Sequence, residues 1–148
     1  MSNVERTGWR DERISARHRT WGVACTAVDL DFVLVEHRSG MPKAIVEYKH
    51  ERARKQYSSN PNYRALINLG NASNIPVLAC RYKNDFSKFI VTPLNTKAGE
   101  YVSPQTTFSE NDYVRLMYEM RGYEDSFTSD YIFKPELKIV DAEQLVLF

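Results

Sequence analysis

Two stretches of this chain, VDLDFVLVE (residues 28–36) and AIVEYKHE (residues 44–51), set Asp29, Asp31, Glu47 and Lys49 inside otherwise apolar runs. Between them HRSGM supplies turn chemistry, with Gly40 where a three-residue loop (Arg38, Ser39, Gly40) needs a left-handed residue. A hairpin centred on Ser39 puts Asp31 directly opposite Glu47 and Asp29 opposite Lys49, with opposed Cβ atoms about 4.5–5.5 Å apart. Side chains alternate along a strand, so all four groups project from one face. Two carboxylates this close repel unless positive charge lies between them. A hard divalent cation such as Mg²⁺ meets that need, taking oxygen from one or two carboxylates and from water. Such a cation polarises a phosphodiester and makes a nucleophile of bound water at neutral pH. A neighbouring ammonium orients that water or balances charge developing on phosphorus.

The bland alternative is a cross-strand ion pair, Asp29 with Lys49, and two solvated carboxylates at an edge. Against it, Leu30, Phe32, Val33, Leu34 and Val35 on one strand and Ala44, Ile45 and Val46 on the other leave neither face polar. That pattern predicts a central, buried strand pair. Charges there are costly unless paired or metal-bound.

The elements that must hold this hairpin are legible in outline. RDERISARHRTWG predicts a polar helix over residues 11–19, stopped by Gly22, and residues 23–27 lead from it into the hairpin. Asn60 and Pro61 suit the N-cap and first position of a second helix, with Tyr63, Leu66, Ile67 and Gly70 on one stripe. IPVLACRY (residues 75–82) and KFIVTPL are strands around the turn KNDFS. Ser109 and Asp112 form a capping box for a last helix. Its apolar face is expected at Val114, Met117, Tyr118 and Arg121, with a stop at Gly122. The tail, residues 123–148, ends in QLVLF and is expected to pack back on the domain or on a second copy. The fold class is α/β, a sandwich around a small mixed sheet.

A chain of 148 residues is one domain by size and buries a core without disulfides or structural metal. No apolar run reaches the roughly 20 residues a bilayer span needs. MSNVERTGWRDER carries no apolar leader pattern, and Cys25 and Cys80 lack CxxC spacing, so the expectation is a cytoplasmic protein with reduced thiols. Residues 1–67 hold 12 Lys/Arg against 8 Asp/Glu, and residues 68–148 hold 8 against 11, so the positive field lies on the half with the charged hairpin. His18, His37, His50 and the two cysteines lack zinc-ligand spacing. Alternation turns His50 to the face away from Lys49. There is no nucleophile elbow for Ser-His-Asp chemistry and no glycine-rich phosphate loop, so no nucleotide cofactor is expected.

Asp31, followed sixteen residues later by Glu47-Tyr48-Lys49, resembles the D…(D/E)xK signature of the PD-(D/E)xK, or restriction-endonuclease-like, nuclease superfamily. VDLDFVLVE looks like the aspartate-bearing strand of that family. The resemblance implies a core over about residues 9–95 that runs helix, three-stranded meander, helix, strand, within a single nuclease-like domain over 1–148. The helix and tail over 109–148 then pack on the core or in a homodimer. It implies Asp31, Glu47 and the Tyr48 carbonyl as ligands of Mg²⁺ (or Mn²⁺), Lys49 as catalytic lysine, and Glu12 as a further catalytic acid. Asp29 competes with Asp31 as ligand, and Leu30 stands where the family has proline. DNA is the implied partner, gripped by Arg13, Arg17 and Arg19 on one side of the hairpin and by Arg52, Arg54, Lys55 and Gln56 on the other. Two further readings stay open: a binding module of the same fold without catalysis, or with catalysis completed by a partner, and an unrelated interaction protein with an ion-paired hairpin.

Overall fold

The computed structural model describes residues 12–54 and 60–122. Helix α1 (Glu12–Arg19) and a single 3-10 turn (Val23–Cys25) lead to strand β1 (Phe32–Glu36) and strand β2 (Met41–His50). Helix α2 (Pro61–Ser73) connects to β3 (Val77–Tyr82) and β4 (Phe89–Pro93). A short helix α3 (Thr96–Gly99), β5 (Thr106–Phe108) and α4 (Glu110–Arg121) complete the order. The five strands form one sheet in sequence order, β1 to β5. Only β2 and β3 run parallel, and α2 is the crossover between them. Parallel neighbours require such a crossover, because a tight turn can only reverse the chain. The α/β class with a mixed sheet flanked by helices is therefore as expected.

Alternation divides the sheet into two faces. On one, Ala44, Val46, Leu78, Cys80, Phe89 and Val91 pack against Tyr113, Leu116 and Met120 of α4. Burial among them pushes the Cys80 thiol up to about 12. On the other, Ile45 and Val77 pack against Leu66 of α2. Helix α2 starts as its sequence dictates: the Asn60 side chain accepts from the Asn62 backbone N–H at 2.9 Å, and proline follows. Its stripe of Tyr63, Leu66 and Gly70 is buried. Gly70 is needed for close approach, since a Cβ there would lie 2.1 Å from Val77 Cγ2.

Four expectations need correction. The described residues hold two strands before α2, not three, because residues 23–25 form a 3-10 turn and no strand precedes β1. The hairpin loop has four residues, 37–40, since Glu36 pairs with Met41. The buried Glu36 carboxylate favours this wider turn by accepting the backbone N–H of Arg38 (3.1 Å) and Ser39 (2.8 Å). Those hydrogen bonds also hold the Glu36 pKa below its ordinary value. Strand β1 is an edge strand: Phe32 is 57% exposed and Val35 40%, so the apolar pattern on both faces did not mean central burial. Finally, the inward stripe of α4 is Tyr113, Leu116 and Met120, one residue off the expected face, although Ser109 caps the helix by accepting from the Asp112 N–H. Tyr113 draws the helix round, stacking on Phe89 at 4.6 Å between centroids and hydrogen-bonding the Tyr48 hydroxyl.

Asn95 ties the end of α2 and the start of β3 to α3. Its side-chain oxygen accepts from Val77 N–H (3.0 Å) and Ala98 N–H (2.9 Å), and its amide donates to the Ile75 carbonyl (2.9 Å) and Asn71 Oδ1 (3.1 Å). Asn95→Ala strands the Val77 N–H and uncaps α3, an expected loss of about 2–3 kcal/mol read from urea midpoints at unchanged m.

Candidate functional site

The site lies on the α2 face of the sheet, where β2 runs toward its C-terminal end. Phe32 pairs with Val46 and Val33 with Ile45, a frame that carried one residue further sets Asp31 opposite Glu47, and the two carboxylates do interact. This is the register expected from the sequence, reached by another route. The four-residue loop shifts pairing by one, and an irregularity between Leu34 and Val35, with Lys43 as the extra residue of β2, shifts it back. Asp31 is exposed, just ahead of β1, and Glu47 is 9% exposed.

Burial pushes the Glu47 pKa up, and the Asp31 carboxylate beside it pushes the same way, while the Lys49 hydrogen bond pulls it down. Lys49 Nζ sits 3.0 Å from Glu47 Oε1, and that bond raises the lysine pKa. The ion pair is thus Lys49 with Glu47, not with Asp29. Asp29 precedes the strand and lines a separate cavity with residues of α1.

Tyr63 completes the near surroundings, and the sequence reading took it only as core. The reason it arrives here is geometric. Leu66 packs on Ile45, and α2 runs back across the strands. Three residues toward its start cover about 4.5 Å, while two residues along β2, from Ile45 to Glu47, cover about 6.6 Å. Tyr63 therefore comes over Glu47. Burial and then the Glu47 charge raise its phenol pKa, so it stays protonated at neutral pH. The i, i+3 stripe placed Tyr63 on the buried face; only the antiparallel run of helix on strand placed it at this carboxylate.

Arg81 is the second residue missed. It is paired with Lys49 across β2 and β3, and its guanidinium donates to the carbonyls of Ala53 (2.7 Å) and Arg54 (3.0 Å). It thereby pins the turn that carries Arg52 and Arg54 beside the site. His50 is on the opposite face, as alternation requires, its ring edge-on to Tyr82 and its Nδ1 accepting from Arg52 N–H at 3.1 Å. Arg13, Arg17 and Arg19 are exposed on α1, and of these Arg19 lines the cavity. Glu12 is exposed at the start of α1. No group of three His, Cys, Asp or Glu side chains gathers in metal-holding geometry among the described residues, so neither Glu12 nor Asp29 completes a triad with Asp31 and Glu47. Lys55 and Gln56 lie outside the described residues, as does the tail, 123–148.

The donor set fits a magnesium-like cation at its minimum. It offers two carboxylates within interaction range of each other, and Mg²⁺ keeps several waters beside one or two carboxylates. The raised Glu47 pKa also has a consequence for metal-free protein. Between its ordinary value of 4.5 and the raised folded value, the folded chain binds the proton that the unfolded chain has lost. This group's contribution to stability therefore falls as pH rises through that window. Asp31→Asn removes one of the upward pushes, so the variant should lose less stability than wild type as pH rises from 4.5 in EDTA. Urea midpoints measured in parallel check the difference, and a steeper loss in the variant would refute the coupling. Among the described residues no helix is long and apolar enough to cross a membrane. No protein-family model, no curated protein and no solved structure matches this chain.

Proposed function

We propose that this protein is a metal-dependent nuclease of the PD-(D/E)xK type that hydrolyses DNA phosphodiester bonds. The observation that carries the reading is the Asp31–Glu47–Lys49 constellation. A buried carboxylate sits beside a second one and within 3.0 Å of an ammonium, on a strand whose parallel neighbour returns through α2. Asp31, Glu47 and the Tyr48 carbonyl would hold Mg²⁺, or Mn²⁺ in its place. The cation, when bound, supplies Lewis acidity and a water of lowered pKa. Glu47 holds the Lys49 ammonium at the edge of the site, where it neutralises charge on the phosphate. The Tyr63 phenol lies beside the Glu47 carboxylate and stays neutral. Arg52 and Arg54, on the turn pinned by Arg81, contribute phosphate contacts that fix register without reading sequence.

The restriction-endonuclease-like core accords with the parallel pair and its crossover helix, while the described residues hold two strands before α2 rather than the three of the meander. A homodimer and a cytoplasmic location belong to the same proposal. A second reading, a DNA-binding module that lacks catalysis or needs a partner's residue, draws support from the two-carboxylate site, because no third ligand side chain joins it among the described residues.

The test is cleavage of end-labelled DNA as linear duplex, single strand and four-way junction, in Mg²⁺, Mn²⁺ or EDTA. Wild type should cut only with metal, and Lys49→Ala should lower the rate at least about 100-fold. DNA binding without cutting by wild type would favour the second reading. Cutting that survives in the variant at the wild-type rate would remove the lysine from the mechanism.

A further inference from the structure

We infer that the cavity lined by Arg19, Asp29 and Asn62 is a subsite for one unpaired nucleotide of the substrate strand, an inference that rests on the nuclease reading. The cavity measures about 570 Å³ and lies between α1, the chain from Gly22 to Asp29, and Asn62 at the start of α2. That is within the roughly 300–1,000 Å³ of pockets that hold one small ligand. Its wall mixes apolar side chains, Ile14 and Val28, with Arg19, Asp29 and Asn62. The apolar part suits the faces of a base, and the Asn62 amide suits its hydrogen-bonding edge. The Arg19 guanidinium suits a phosphate, and it does so better than a lysine could because it donates in a planar fork.

Position makes the assignment specific. Asp29 is two residues from Asp31, and two residues of chain span at most about 7 Å. Asp29 on the cavity wall is therefore within about one nucleotide step, along the chain, of the Asp31 carboxylate that would grip the scissile phosphate, and Asn62 on the same wall immediately precedes Tyr63. The wall is also held in shape. His18 Nε2 is hydrogen-bonded to the Cys25 carbonyl at 2.6 Å, which ties α1 to the loop across the cavity, and the His18 ring packs on Trp21 at 4.8 Å. Asn60 caps the start of α2 and so fixes the backbone at Asn62.

A base inside a stacked, paired duplex cannot enter a pocket without being unstacked, at a cost of a few kcal/mol, whereas a single-stranded or junction nucleotide enters without that cost. The substrate class is therefore DNA with an unpaired nucleotide next to the cleaved bond: single strands, flaps and branch points ahead of intact duplex.

The test uses the full-length protein and two probes, thymidine 5′-monophosphate and deoxyadenosine 5′-monophosphate, titrated without metal by calorimetry and NMR. Wild type and Glu47→Gln should bind both saturably. Ala27→Trp places an indole in the cavity from an exposed position and should weaken binding at least tenfold. Arg19→Glu, on the exposed end of α1, should weaken it comparably without filling the space, so a folding defect in one variant leaves the other decisive. In the cleavage assay Ala27→Trp should lower single-strand cutting at least tenfold relative to wild type. Nucleotide binding that survives both variants, or no binding by wild type at millimolar probe, overturns the subsite even if DNA is cut. Binding lost in both variants while wild type fails to cut DNA upholds the pocket and refutes the nuclease reading instead.

Discussion

Glu47→Gln is expected to lower metal-dependent cleavage by about 1,000-fold while leaving metal-free protein at least as stable as wild type. The first half follows from the ligand role proposed for Glu47. An amide cannot supply the anionic oxygen that holds a hard cation, and several kcal/mol of transition-state stabilisation go with the metal, each 1.36 kcal/mol being tenfold in rate. The second half follows from the site's electrostatics. Glu47 is buried, its pKa is pushed up by burial and by Asp31, and only Lys49 opposes this. A neutral side chain of the same shape removes the carboxylate repulsion and the desolvation cost together. Lys49 keeps contact with water, its side chain being 36% exposed, so losing its partner leaves no buried charge behind. A purely structural ion pair predicts the reverse, a destabilised variant, because breaking a pair held for stability exposes its cost. Thermal denaturation in EDTA beside single-turnover cleavage in Mg²⁺ separates the two. A lower Tm with unchanged cleavage would make Glu47 a structural residue.

Gly70→Ala is expected to cost about 3 kcal/mol and to lower cleavage as well, although Gly70 lies two helical turns from Tyr63. A Cβ on Gly70 would meet Val77 Cγ2 at 2.1 Å, the Ile75 carbonyl oxygen at 3.2 Å and Asn95 Nδ2 at 3.3 Å. Val77 is fully buried and β-branched, so its methyl has no free rotamer to move into. Relief must come from α2 lifting off the sheet, and overpacking of this kind costs roughly 1–3 kcal/mol. Tyr63 rides on the same helix, two turns away, so the lift reaches the space above Glu47. Val77→Ala removes the offending methyl, so the double variant should be more stable than the sum of the two single losses predicts, with a coupling of about 1–2 kcal/mol. Additive losses in that cycle would show that the close approach is not what the glycine serves.

How much of this was readable from the chain varies by residue. The hairpin register at the site was, through two errors that cancel. A three-residue loop was expected where Glu36 closes a four-residue one, and the extra residue at Lys43 restores the frame before Asp31 and Glu47. Turn residues announce that a hairpin exists, but a buried carboxylate reaching backbone N–H groups decides its length. The helix start at Asn60-Pro61 and the stripe Tyr63, Leu66, Gly70 were legible because capping and the 3.6-residue period are local properties. The face of α4 was read one residue off, since Tyr113 finds its partners, Phe89 and Tyr48, on strands far away in sequence. The short α3 and β5 left no periodic signal at all, being four and three residues long.

By itself the sequence determined which residues could do chemistry, the alternation that puts Glu47 and Lys49 on one face and His50 on the other, and the α/β order of elements. These depend on neighbours a few positions apart, where backbone geometry leaves few choices. Only the tertiary structure decided that β1 is an edge, that Asp29 leaves the carboxylate pair for a cavity, and that Tyr63 and Arg81 attend the site. Each of these depends on which surfaces meet across the sheet, and that is set by packing among residues distant in the chain, to which no local pattern is sensitive.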